Sequence, residues 1–585
     1  MAYGLRLIIH TSYFRTSNIN MTVKQKDILH FFTVTAGAVA LFLLANAFHL
    51  RLDLTADKRY TLSAATKKLL HELPGSAFIR VYLEGEMPVG VRPLQRAVKD
   101  MLSDMQAYSG GRLQYEFVNP APGRQKEAFY RDLLRKGLLP YTVQEKNAEG
   151  GVTQINLFPG AVVSLSGRQR ALNLLEVNRQ ISTEENVNNA IQNLEYLFTS
   201  AVEELGRKEL EKIAFIDGHG ELSAAQVADA VQDLSAYYRV NRITLSGDVN
   251  ALNDYALAVV AKPSTPWSEA DKLAIDQHIM RGGKVAWFID PVTVHEDSLA
   301  NGHVTFGIIN DHNLNDMLFR YGVRINANVV QDLQCALIPV NVAPAGMPAK
   351  FSPMPWTYYP LLYPSPNNPI SRNLNVVKTE FPGTLDTLPG AGVAKQVLLS
   401  TSPRSFVKNA PFYVGLEQVV ENIDARLYSR GAIPVAALLQ GEFSSIFQHR
   451  ALSSYNNGRP FAFAAKSVPT AQVVVADGDV IRNDVTADGS PLPLGYDRYT
   501  RQALYGNKGF VQNVVAYLLD DSGLMSLRSK VVAMRLLDRA RVVQERTAWI
   551  AVNTVAPLAL LALGGVCFVL RRKKKYGGRV LNLKK

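Results

Sequence analysis

Two cysteines are all that this chain of 585 residues possesses. Cys335 falls in its middle and Cys567 in a C-terminal apolar run, so the sequence offers neither a disulfide framework nor a thiol cluster for a metal. Charged residues are scarce at 19%, beside 47% hydrophobic, a balance that suits a globular protein with membrane parts and excludes a disordered one. Acid is in deficit, giving a net charge of +12, but the excess is local. Residues 1–50 carry +3 and residues 571–585 carry +8, which leaves +1 for 51–570. Basicity confined to the two flanks argues against nucleic acid as a partner. Nucleotide loops are missing too. Gly282-Gly283-Lys284 lacks the upstream glycine and the hydroxyl residue of a P-loop, so the chain does not hydrolyse ATP that way. No Gly-x-Ser-x-Gly elbow occurs.

Long hydrophobic runs are present. Residues 548–570 are almost wholly apolar and stop at Arg571-Arg572-Lys573-Lys574-Lys575. About 20 apolar residues cross a bilayer as a helix, and such a basic cluster is retained on the cytoplasmic side. A second run, Ile28 to Phe48, reads as an uncleaved anchor. Its rival is a cleaved signal peptide, but the run is long and Ala45-Asn46-Ala47 leads into a poor cleavage context, Phe48-His49-Leu50-Arg51. Met21 is expected to be the true initiator, since Met21 to Asp27 supplies a short basic head. With the basic tail inside and two crossings, both termini are cytoplasmic and the region between the anchors lies outside the inner membrane.

The expected organisation follows from these runs. Residues 1–27 form a cytoplasmic N-terminus, 28–49 a transmembrane helix, 50–180 a small α/β domain and 181–523 a larger one. An amphipathic helix over 524–547, a transmembrane helix over 548–570 and a basic tail over 571–585 complete the chain. In the small domain, a strand at 78–83, a helix at 94–108 and a strand at 113–118 make a βαβ unit, and further strands near 153–175 give a thioredoxin-like order. The absence of Cys-x-x-Cys excludes redox chemistry there. Ser182 and Glu185 read as a capping box for a helix running to about 205. Buried strands at 213–216, 255–261 and 284–289 then alternate with helices at 223–237 and 269–280, which predicts a doubly wound parallel sheet. Nine prolines between Pro339 and Pro369, with Trp356-Thr357-Tyr358-Tyr359 among them, predict a long irregular insertion over about 335–370. Its aromatic side chains suit a partner interface as well as the cover of a sheet edge.

The candidate site lies at the carboxyl edge of that sheet, where such folds bind ligands. Gly218-His219-Gly220-Glu221-Leu222-Ser223 follows a strand, in the place of a dinucleotide fingerprint, but Ser223 stands where the third glycine would be. A tight strand-to-helix turn accounts for it better. Asp217, His219, Glu221 and Asp290 are the candidate ligand-binding residues; their spacing matches no metal motif, and no catalytic set is visible. No cofactor is expected.

Several stretches together resemble the gliding-motility-associated ABC-transporter auxiliary proteins known as GldG. The resemblance rests on residues 51–63 (Arg51-Leu-Asp-Leu-Thr-Ala-Asp-Lys-Arg-Tyr-Thr-Leu-Ser63), on Gly218-His219-Gly220-Glu221, on 262–284 and on 499–508. It extends from about residue 21 to 575, which is broad, although none of these stretches is a catalytic signature. It implies a Bacteroidota-type inner-membrane protein with a large periplasmic region, working with an ABC permease and a separate cytoplasmic ATPase. The family supplies no site residues to transfer. The alternative is an envelope-facing enzyme, hydrolase-like, or a ligand sensor using the Gly218 to Glu221 edge.

Overall fold

A computed structural model describes residues 23–47, 61–529 and 544–576, apart from 86, 121–125, 147–151, 176–180, 208, 296–297, 300–303, 344–346, 391, 420–422, 451–460, 498–501 and 521–522. The chain divides into two compact units, Met1–Lys530 and Val531–Lys585. The second holds a 31-residue helix, Arg546–Tyr576, of which 546–574 is long and apolar enough to cross a membrane. At ~1.5 Å per residue that span exceeds the ~30 Å hydrocarbon core. Near the other end, helix α1 (Val23–Ala47) has an apolar stretch, Ile28–Ala40, too short among the described residues to qualify as a crossing.

The first unit holds several hydrophobic cores, the two largest of which are each built on a sheet. The smaller is built by α2 (Ala64–His71), β1 (Ala77–Val81), α3 (Arg92–Tyr108), β2 (Leu113–Phe117) and α4 (Lys126–Arg135). A hairpin of β3 (Tyr141–Lys146) and β4 (Val152–Leu157) precedes β5 (Gly160–Leu165) and β6 (Arg168–Asn173). The four-stranded sheet runs β2-β1-β5-β6, with β1 parallel to β2 and antiparallel to β5, the strand order of a thioredoxin-like sheet. Helix α5 (Thr183–Gly206) begins at the Ser182–Glu185 capping box and lays Leu194, Phe198 and Val202 against Ile79 and Val163. The hairpin β3–β4 lies outside this sheet, and its first strand was not expected from the sequence.

The larger core begins with β7 (Lys212–Asp217), α6 (Ala228–Ser235), β8 (Arg239–Thr244), β9 (Leu257–Ala261), α7 (Glu269–Met280) and β10 (Lys284–Phe288). β9 is buried at all five positions, the mark of a parallel strand covered on both faces. Ser268 caps α7 by accepting from the Asp271 N–H. Later strands are β11 (Cys335–Asn341), β12 (Phe351–Pro364), β13 (Val393–Ser400), β14 (Pro434–Gly441) and β15 (Thr470–Val475), and helix α8 (Asn507–Leu518) packs over the sheet.

The strand order is β11-β12-β13-β14-β15-β10-β9-β7-β8. Only β15-β10-β9-β7-β8 is parallel; β11 to β14 are each antiparallel to their neighbours. The doubly wound parallel sheet is therefore half of a mixed one. The expected irregular insertion is also corrected, because 335–364 contains a long hairpin. Proline is tolerated in β12 because an antiparallel strand donates to each neighbour only at alternate residues, and β12 meets β13 only through Tyr363 and Pro364. Trp356 and Tyr358 face inward to a third core with Phe381 and Phe412. Of the amphipathic helix expected over 524–547, the described start, Leu524–Ser529, is a 3-10 helix, and 530–543 lies outside the described residues.

Candidate functional site

Chain winding reverses between β7 and β9: β8 lies on one side of β7 and β9 on the other. A crevice at such a reversal is where open α/β sheets bind ligands. Here the crevice is closed by its own loops. After β7, Gly218 and Gly220 take φ of +114° and +71°, which turns the chain back over the sheet. The His219 carbonyl accepts from the N–H groups of Ser264 (2.9 Å) and Thr265 (3.0 Å) in the loop after β9, and the Leu222 N–H donates to Ala261 O at 3.0 Å. The helix expected from 223 is delayed to Ala228, so the glycine turn does not open directly onto a helix N-terminus. That removes the anion cradle a dinucleotide fingerprint needs.

The structure separates the four predicted residues. His219 and Glu221 meet: His219 Nδ1 is 3.0 Å from Glu221 Oε1, and the His219 N–H donates to Glu221 Oε2 at 2.7 Å. Asp271, in the first turn of α7, completes the group with Oδ2 at 3.3 Å from His219 Nε2. Its other oxygen accepts from the Gly247 N–H at 2.7 Å. The imidazole stacks on Trp267, centroids 4.0 Å apart and planes 11° from parallel. Asp217 turns away to Arg242 on β8, at 3.2 Å. Asp290 belongs to a different cluster altogether.

Burial by itself would lower the His219 pKa, but hydrogen bonds to Asp271 and Glu221 outweigh it and raise the value to about 9. Burial would likewise raise Asp271, yet the bonds from His219, Ser268 and Gly247 hold it below the usual carboxylate range. The ring is thus an imidazolium at neutral pH, donating from both nitrogens. A general base needs a free lone pair near the reacting proton, and this ring offers none. Chemically it is an internal cation that clasps the loop after β7 to α7. Gly220 makes the clasp possible, since a Cβ there would sit 2.1 Å from Ser264 Oγ at a φ that L residues seldom adopt. Gly220→Ala is expected to cost about 1–3 kcal/mol. Thermal unfolding checks this against Gly90→Ala, where a Cβ meets open space and no change is expected.

The second cluster occupies the carboxyl ends of β9, β10 and β15. Lys262 follows β9 in left-handed conformation, with φ of +57°. Its Nζ lies 2.6 Å from both Asp479 oxygens and 2.9 Å from Asp290 Oδ2. Its stem runs against Gly478, where a Cβ would be 2.5 Å from the lysine chain. Arg482 bridges Asp479 and Glu380, and Lys378 pairs Glu380 at 2.7 Å. Burial favours a neutral Lys262, but Asp290 and Asp479 hold it charged, with its pKa raised. Burial, joined by the neighbouring Asp479 and Asp290 carboxylates, pushes the Asp477 carboxyl far above the usual carboxylate range.

One oxygen from each of Asp290, Asp477 and Asp479 falls within 4.8 Å of the others, which is close enough to hold a metal ion. The Lys262 ammonium already stands between Asp290 and Asp479, so the donor set does not fit one. Beside the cluster, a cavity of about 20 Å³ lined by Glu380, Asp479 and Arg482 has room for roughly one water and no more. Gly282-Gly283-Lys284 leads into strand β10 rather than a helix, unlike a P-loop. Sequence reasoning missed Lys262, Trp267, Asp271, Asp477 and Asp479. The acids alone left a signal, since Asp477-Gly478-Asp479 follows the apolar Val473-Val474-Val475-Ala476 as Asp290 follows β10.

Comparison with known proteins bears on the same region. No curated protein matches the chain. A domain of unknown function matches residues 56–164. Among solved structures, the chain is similar to the mmIFT52 N-terminal domain, at 14% identity and a TM-score of 0.31, over 53% of this chain and 97% of that one. It is also similar to a ThuA-like protein from Bacteroides uniformis, at 12% identity and a TM-score of 0.26, over 53% of this chain and 92% of that one. An auxiliary family described as an ABC-type uncharacterized transport system matches residues 210–514, which takes in the whole parallel half of the large sheet and both charged clusters. With just over half of its length inside that match, the chain belongs to this ABC transporter auxiliary family.

Proposed function

We propose that the protein is a membrane-anchored, non-catalytic subunit of an ABC transport complex, of the GldG type that serves gliding motility. Its body lies on the periplasmic side of the inner membrane, and it couples an ATP-driven change in partner chains to the envelope or binds what is carried. The observation that carries the reading is the family match over 210–514, joined to a C-terminal helix of membrane-crossing length. The basic run Arg571 to Lys575 after the apolar span supports an inside tail. The protonated, doubly clasped His219 supports a structural rather than catalytic role for that turn. With no P-loop in the sequence, ATP hydrolysis falls to a separate cytoplasmic chain acting with a permease. In this reading residues 50–180 and 181–523 are successive layers of one external body between anchors at 28–49 and 548–570.

Affinity purification of the tagged chain from native membranes in mild detergent, followed by mass spectrometry, tests this. A permease and an ATPase recovered in fixed ratio are the expected result. Recovery of the protein alone across several detergents would overturn it.

A further inference from the structure

A cleft of about 190 Å³ lies between helix α5 and the segment 373–375. Its lining is unusual in composition: Asn186, Asn189 and Asn193 on one wall, Asn373 and Asn375 on the other, and Asn173 at one end. The remaining lining residues are aliphatic, among them Leu174, Leu197 and Leu374, and none of the described lining residues is charged or aromatic. Such a lining offers an ion no counter-charge, and it lacks the ring faces on which sugars and bases stack. It suits a neutral ligand dense in both hydrogen-bond donors and acceptors, because each asparagine amide offers two donors and an acceptor carbonyl.

The asparagines differ in what they already do. Asn173 is spent on Leu139 N and Gly137 O, and Asn375 on Val376 N and Leu504 O. Asn186 donates to Ser182 O. Among the described residues, the amides of Asn189, Asn193 and Asn373 have no partner, although Asn189 and Asn193 are half-buried in the cleft wall. Asn373 holds its position through a left-handed φ of +59°.

Spacing selects the ligand. Asn189 and Asn193 are four residues apart on α5, about 6 Å along the helix axis. An extended polypeptide repeats its N–H and C=O pair on one edge every two residues, about 6.6 Å. Two amides in a row on one helix face therefore meet two successive backbone pairs of such a chain. We propose that the cleft binds a short extended segment of uncharged polypeptide. Asn189 and Asn193 grip its backbone, Asn373 closes on the opposite edge, and the leucines take its small side chains. The proposal does not depend on the transport role above.

The test uses the full chain in nanodiscs and a diazirine-bearing capped tripeptide, acetyl-alanyl-photomethionyl-alanyl amide. Irradiation followed by peptide mapping should place the label on the segments carrying Asn189, Asn193 and Asn373. Unlabelled acetyl-trialanine amide should compete, and maltotriose should not. The double variant Asn189→Ala, Asn193→Ala should lose about tenfold in labelling, two lost hydrogen bonds' worth, with Asn188→Ala unchanged. Asn373→Ala, at an exposed position, provides a second variant should the double one unfold. Labelling that survives both variants would overturn the proposal. So would competition by maltotriose equal to that of the peptide, which would identify a sugar site.

Discussion

Lys262→Met will lower the stability of the protein by about 3–5 kcal/mol at pH 7.5, the cost of breaking a buried ion pair from one side. The methionine fills the space of the lysine stem against Gly478, so the change is one of charge rather than volume. It leaves Asp290 and Asp479 facing each other without the ammonium that now lies 2.9 Å and 2.6 Å from them. Asp290 is already raised by burial against the pull of Lys262, and without the lysine it rises further. A carboxyl whose folded pKa exceeds its unfolded value contributes stability at low pH and loses it as pH rises through the folded pKa. The deficit of the variant should therefore shrink on going from pH 7.5 to 5. Urea unfolding of the detergent-solubilised chain, followed by the fluorescence of the buried Trp267, Trp287 and Trp356, measures both effects. An unchanged midpoint at pH 7.5 would show that Asp290 and Asp479 do not rely on Lys262. A loss of this size is a large fraction of the ~5–15 kcal/mol that holds a typical domain folded.

Why that lysine escaped sequence reading is instructive. Local signals carried well: the Ser182–Glu185 capping box, the Ser268 cap of α7 and the all-apolar runs of β7, β9 and β10 each rest on residues within one element. The carboxyl edge was legible for the same reason, because an acidic residue directly after a buried strand has few places to go. What joins the edge is long-range. Lys262 and Asp479 are 217 residues apart, and His219 and Asp271 are 52 apart. No periodicity records such a pairing. The left-handed backbone at Lys262, before Pro263, also has no sequence signal of the kind glycine gives. Strands near 396–400 and 435–440 are expected from the sequence and are found as β13 and β14; only the β11–β12 hairpin was hidden by its prolines. In β12 their cost depends on which edge of the strand is paired, and that is a tertiary fact.

The wild-type protein should lose stability between pH 6.5 and 9, and His219→Leu should not. His219 has a folded pKa of about 9 against an ordinary value of 6.5. A raised histidine contributes its full stability below the unfolded pKa, and the contribution fades as pH rises through the folded one. A displacement of that size corresponds to about 3 kcal/mol, all of it present at pH 6 and nearly gone by pH 9.5. Asp271 sets the acid side with the opposite sign: its pKa is lowered, so its contribution is present above 3.8 and is lost as pH falls through the folded value. Melting midpoints of the purified chain and the variant across pH 5.5 to 9.5 should start well apart and converge. The same experiment decides between the two roles for the glycine turn. A clasp requires the convergence, and a variant that still assembles with its transport partners where it remains folded. A wild-type midpoint flat across that range would mean that the ring is neutral at pH 7. Then one nitrogen would be free to take a proton, and the turn from Gly218 to Glu221 would again be a candidate for acid-base chemistry.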